Sequence, residues 1–185
     1  MLQRADIAMH RAKLQGRDSY QVFTKIMFIE AQRRKSHEDN LRQAIESKQS
    51  EIYFQPQVSL DTFELCGVEV LLRSTNPVLA NIPTEKLIAV AEDTGLINPL
   101  GEWILETACR QIKSWQQMAL PRFKVAVNFS PKQFLAPTFL STVKRILRQS
   151  ELDPGYLELE VTEGVLMAAN ETNTEIMAVI KDLGR

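Results

Sequence analysis

The chain has 185 residues, 44% hydrophobic and 24% charged, which suits one soluble globular domain with a buried core. Its 22 basic and 23 acidic residues leave a net charge of −1, so no basic excess marks it as a binder of nucleic-acid polymers. No apolar run approaches the roughly 20 residues of a membrane span, and no apolar core follows the N-terminal Met-Leu-Gln-Arg-Ala-Asp, so no membrane contact is expected of this segment.

In chain order, the pattern predicts a helix over 3–15, with Ile7, Met9, Ala12 and Leu14 among basic residues and Gly16 as its stop. Tyr20 to Phe23 reads as a short strand. Residues 25–48 read as a charged linker helix, with Leu41, Ala44 and Ile45 at helical spacing. From Glu51 the pattern changes. Strands are expected at 51–59, 63–73, 123–130 and 156–162, and helices at 84–94, 99–117, 138–149 and 170–183. Pro83-Thr84 and Asn98-Pro99 signal helix starts, and Asp153-Pro154-Gly155 signals a turn. Only Asp61-Thr62 separates the first two strands, which predicts an antiparallel hairpin. The later alternation of strand and helix predicts parallel strands with helical crossovers.

Cys66 and Cys109 form no CxxC pair and lie far in sequence from His10 and His37. A zinc site is therefore not expected, and two free thiols suit a reducing cytoplasm.

Strand parity separates two kinds of residue. Glu69, Leu71 and Arg73 alternate with Val68, Val70 and Leu72; Ala126, Asn128 and Ser130 alternate with Phe123, Val125, Val127 and Phe129. Glu158, Glu160 and Thr162 alternate with Leu157, Leu159 and Val161. One reading is a sheet with one wet side. The other is a barrel with greasy faces outward, polar residues inward, and functional groups at the C-terminal strand ends. Two carboxylates and an amide oxygen from three strands make a hard-oxygen set suited to Mg²⁺ or Mn²⁺. Arg73, on the face of Glu69, could hold a phosphate through two hydrogen bonds, and Gln55 could bond a base or a phosphate. Taken singly, each of these residues reads as an ordinary surface group; the ordered set does not.

That set resembles the EAL family of cyclic-di-GMP phosphodiesterases. The matching text runs from Leu41 through Tyr-Phe-Gln-Pro-Gln-Val, Gly-Val-Glu-Val-Leu-Leu-Arg and Ala-Glu-Asp-Thr-Gly-Leu-Ile. It continues through Val-Asn-Phe-Ser-Pro-Lys-Gln-Phe and Leu-Glu-Leu-Glu-Val-Thr-Glu. The resemblance implies an α/β fold, a TIM-like barrel whose first strand is antiparallel. It implies metal ligation by Glu69, Asn128 and Glu160 with Mg²⁺ or Mn²⁺, a catalytic part for Glu69, and an active-site loop steadied by Glu163. It implies dinucleotide contacts from Gln55 and Arg73, and hydrolysis of cyclic-di-GMP to linear pGpG. Residues 1–24 are similar to the C-terminal tail of GGDEF diguanylate cyclase domains, without their signature loop, so the expected layout is that tail, a linker helix over 25–48 and the N-terminal part of an EAL domain over 49–185.

The chain departs from the family in three ways. Val70 stands where Ala is usual, Ser74 replaces a common Trp, and the Asp-Asp pair, Lys, Glu and Gln expected further on have no counterpart. With Arg185 last, the expectation is an incomplete barrel with open edges, inactive alone, and marginally stable or paired as a homodimer. The rival expectation is a non-catalytic binder of cyclic-di-GMP or of a partner protein. The parent protein is expected in the cytoplasm, with any membrane anchor outside this segment.

Overall fold

The computed structural model describes residues 2–15, 20–118, 120, 122–161, 177 and 179–181. Two helices lead in. Helix α1 (Leu2–Gln15) packs on α2 (Lys25–Glu46), and the Thr24 hydroxyl caps α2 by accepting from the Met27 amide at 3.3 Å. Residues 20–24 form no regular secondary structure, so the strand expected there is not found; the segment ends at the cap of α2 instead. Helix α2 stops at Glu46, slightly short of the expected end, in a turn where Lys48 adopts a φ of 55°.

Strand β1 (Ser50–Val58) and strand β2 (Leu65–Ser74) form the expected antiparallel hairpin. The connection is longer than the expected two residues. It runs over 59–64, closed by the Phe63 amide on the Ser59 carbonyl, with Phe63 itself at a φ of 57°. From β2 the chain passes through α3 (Thr84–Thr94) and α4 (Ile97–Gln117) to β3 (Lys124–Phe129). Gly95, at a φ of 76°, is the left-handed stop that ends α3. Helix α4 then starts at Ile97, before the expected Pro99, because Pro99 fits the first turn of a helix. Beyond β3 come a short helix α5 (Pro131–Phe134), α6 (Phe139–Ser150), a 3₁₀ turn (Pro154–Tyr156) and β4 (Leu157–Val161). The expected helix at 170–183 falls largely outside the described residues; residues 177 and 179–181 of it are helical.

The sheet order is β1-β2-β3-β4, with β2, β3 and β4 mutually parallel. Val68, Val70, Val125, Val127 and Phe129 bury one face of this sheet against α4 and α6. Leu105, Ala108, Cys109 and Ile112 supply the α4 side at helical spacing, and Val143, Ile146 and Leu147 the α6 side. Cys109 serves as a small apolar residue. Burial pushes its thiol up to about 12, with a hydrogen bond to Ser150 acting the other way. A second core joins Leu41 and Ala44 of α2 to Leu87 and Ala91 of α3, with Leu72 and Leu100. No described helix is long and apolar enough to cross a membrane.

Helix α5 was not expected, and it has a local cause. Ser130 leaves the strand to cap it. The Gln133 amide donates to Ser130 Oγ at 3.3 Å, and the Ser130 amide donates to Gln133 Oε1 at 3.1 Å. Gln133 is buried beside Gly101 of α4, where any Cβ would overlap its side-chain amide. Gly101→Ala should therefore break the capping pair or separate α4 from α5. The expected cost is about 1–3 kcal/mol, read as a lower thermal midpoint. A midpoint unchanged from wild type would refute this packing.

Candidate functional site

The opposite face of the sheet is polar, and β2 is its centre. Glu69 is the Cα partner of Gln55 on one side and of Ala126 on the other, so all three share that face. Glu69 lies mid-strand, not late in it as the barrel reading expects. It is nevertheless the last β2 residue paired with β3; beyond it β2 continues beside β1 alone. Ala126 is in turn the partner of Glu158, and Asn128 of Glu160. The structure therefore brings Glu69, Asn128 and Glu160 onto one open surface. Asn128 Nδ2 donates to Glu69 Oε1 at 2.8 Å, closing the gap between β2 and β3. Ala126 is fully buried between two glutamates. Parity alone did not single out this small residue between the two carboxylates.

The charges on this face are unevenly compensated. Lys124 Nζ pairs with Glu158 Oε1 at 2.8 Å. Glu160 has no ion pair among the described residues. Its proton affinity is raised, first by partial desolvation and then by the negative charges of Glu69 and Glu158. Carboxylates left facing one another on this face are a place where a cation would be favoured. Among the described residues, no three His, Cys, Asp or Glu are grouped to hold a metal ion. A site here therefore needs the Asn128 amide oxygen as its third donor. Two carboxylates and an amide are the hard-oxygen set that Mg²⁺ or Mn²⁺ takes.

Arg73 lies on the same face, two strand positions beyond Leu71, and is exposed. Its Nη1 donates to the Leu72 carbonyl at 2.8 Å, and its guanidinium carbon lies 5.5 Å from the centre of the Tyr53 ring. Gln55 is exposed on β1 beside Glu69. Glu163 lies outside the described residues. Ser130, expected on this face, turns away to cap α5. A cavity of about 50 Å³, lined by Glu102, Leu105, Phe139 and Thr142 among others, lies on the helical side and includes none of these site residues.

Comparison with known proteins gives the family. Residues 38–185 match the family model described as EAL domain. The chain is 36% identical over 180 residues to the bifunctional diguanylate cyclase/cyclic di-GMP phosphodiesterase MucR of Pseudomonas aeruginosa, covering 97% of this chain and 26% of that protein. It is 31% identical over 184 residues to the cyclic di-GMP phosphodiesterase PdeR of Escherichia coli, covering 100% of this chain and 28% of PdeR. The chain thus spans about a quarter of the length of the curated relatives it matches. Among solved structures, the MucR phosphodiesterase in complex with c-di-GMP superposes with a TM-score of 0.76 at 34% identity, over 80% of this chain and 60% of that one. The chain belongs to the EAL domain family.

Proposed function

We propose that this chain carries the N-terminal part of a site that binds cyclic-di-GMP and, in the parent protein, hydrolyses it to pGpG. The observation that carries the reading is the convergence of Glu69, Asn128 and Glu160 on one open sheet face, with Asn128 bonded to Glu69 at 2.8 Å. Those three residues would hold Mg²⁺ or Mn²⁺. When bound, such an ion supplies charge neutralisation at a phosphoryl group and a more acidic water. The chain's own residues do the rest of what is assigned here. Arg73 grips a phosphodiester oxygen pair, Gln55 bonds the dinucleotide from β1, and Asn128 fixes the Glu69 carboxylate. Glu163 steadies the segment after β4. Residues 1–24 belong to a GGDEF-type tail, with α2 as the linker into the EAL part. The names of MucR and PdeR as cyclic di-GMP phosphodiesterases support the substrate.

A second reading, binding without turnover, uses the same residues. Incubation of the 185-residue chain with cyclic-di-GMP and Mg²⁺ or Mn²⁺ tests both. Binding is the expected outcome under either reading. Appearance of pGpG that Glu69→Gln abolishes would make it an enzyme by itself, and failure to bind at all would sink the assignment.

Glu160→Gln should weaken Mn²⁺ binding by at least the roughly tenfold that loss of a supporting partner costs, measured by titration calorimetry. Without metal the same change should stabilise the fold at neutral pH. The sign follows from the raised proton affinity of Glu160 over its ordinary value of 4.5. Its contribution to stability is complete below the unfolded value and is lost as pH rises through the folded one. The thermal midpoint of metal-free Glu160→Gln should thus exceed wild type at pH 7, with the gap closing below pH of about 4. A wild type that is the more stable at pH 7 would contradict it.

A further inference from the structure

We propose that Tyr53 is a positioning residue whose ring holds the Arg73 guanidinium on the open face, with one edge free for a phosphodiester. The inference rests on the reading of Arg73 as a dinucleotide contact and adds the group that orients it. The β1–β2 register sets Tyr53 opposite Leu71 and Glu51 opposite Arg73, so Tyr53 and Arg73 are diagonal neighbours on one face. Tyr53 is 55% exposed, on a face that also bears Gln55, Glu69, Leu71 and Arg73. Arg73 makes no ion pair among the described residues, although Glu51 is its Cα partner. Its guanidinium carbon lies instead 5.5 Å from the Tyr53 ring centre, within cation–π range.

The second restraint sets the direction. Nη1 is spent on the Leu72 carbonyl at 2.8 Å. A guanidinium carries donors on Nε, Nη1 and Nη2, so the Nε–Nη2 edge remains, and that edge matches two oxygens of a phosphate. A free arginine loses many rotamers when it grips a ligand, and the loss weakens binding. One ring and one carbonyl reduce that loss beforehand. The simpler role for Tyr53, covering Leu71, requires only an apolar side chain. The positioning role requires an aromatic face.

The test uses Tyr53→Phe, Tyr53→Leu and Arg73→Ala in the full chain. The Arg73 Nε–H resonance, assigned by its loss in Arg73→Ala, should be shifted upfield by the ring in wild type and in Tyr53→Phe. It should return to the ordinary arginine position in Tyr53→Leu. Cyclic-di-GMP affinity is then measured in EDTA, so that no turnover intervenes. Tyr53→Phe should bind as wild type does, and Tyr53→Leu about two- to fivefold more weakly, the equivalent of one exposed cation–π contact. Tyr53→Leu should have no further effect once Arg73 is Ala. An Arg73 signal that ignores Tyr53→Leu overturns the proposal whatever binds. Equal loss from Tyr53→Leu with and without Arg73 overturns it too, because Tyr53 would then touch the ligand itself. A loss in Tyr53→Phe equal to that in Tyr53→Leu overturns it in favour of the hydroxyl. If wild type keeps the ring shift but binds no cyclic-di-GMP, the functional reading fails and the ligand half of the proposal falls with it.

Discussion

The alternation of side chains across the pleat of β2 is the constraint on which the rest depends. Val68, Val70 and Leu72 turn to the helices while Glu69, Leu71 and Arg73 turn to the open face. A slip of one residue in the β1–β2 register would exchange the two sets. The hairpin therefore does more than add a strand. It brings Gln55 opposite Glu69 and sets Tyr53 diagonal to Arg73, while the parallel neighbour β3 brings Asn128 to Glu69 from the other side. At Gly67, beside the loop, a Cβ would sit 2.7 Å from Gln57 Oε1, a side-chain tip that can move aside. Register is thus pinned on the apolar face by burial.

The two faces contribute with opposite sign. Each fully buried Val or Phe on the helical face contributes about 1.5–3 kcal/mol. The exposed ion pairs, such as Lys124 with Glu158, contribute about 0–1 kcal/mol each. On the polar face Glu69, Glu158 and Glu160 oppose one another, and the cost falls on Glu160, whose ionised form is disfavoured. A face that a fold optimised for stability alone would neutralise is kept charged, and the apolar face is large enough to carry it. That division fits the proposed cation and phosphate-ester site on this face.

The strands were legible because their chemistry is periodic. Val125, Val127 and Phe129 against Ala126 and Asn128 can be read as two faces without any structure, and both faces are found. The hairpin was legible as a type but not in its loop, because Phe63 at a φ of 57° is a conformation that no composition rule assigns to phenylalanine. The strand expected at Tyr20 to Phe23 had strand-like residues but is not part of the sheet; sheet membership is a tertiary fact. Helix α5 was hidden in the Ser-Pro-Lys-Gln text, although Ser followed three residues later by Gln is itself a helix-start signature. For the site, residue types and parity named Glu69, Asn128, Glu160, Gln55 and Arg73. They could not show Ala126 as the small residue between two glutamates, nor the ring beneath Arg73, since both depend on the exact register between neighbouring strands.

The end of β3 shows how such a face is held from behind. Asn128 is followed at once by Phe129 in the main core and by Ser130 in the α5 cap, so one turn of chain joins the site, the core and α4 through Gln133 and Gly101. On the outside, Lys132 of α5 meets Asp93 of α3 at 3.3 Å, and Arg34 of α2 reaches the same carboxylate. These ion pairs are half exposed and worth little singly. They cannot be what fixes α2 or α5 in place. The buried contacts can: Leu41 and Ala44 seat α2 in the second core, and Phe134 seats α5 in the first. Leu72 packs in the second core and Val70 in the first, so β2 bridges the two, and the strand that bears Glu69 is the one both cores hold. Placement of the carboxylate is therefore a consequence of packing on the far side of the sheet, and the polar contacts on the near side refine an orientation already set.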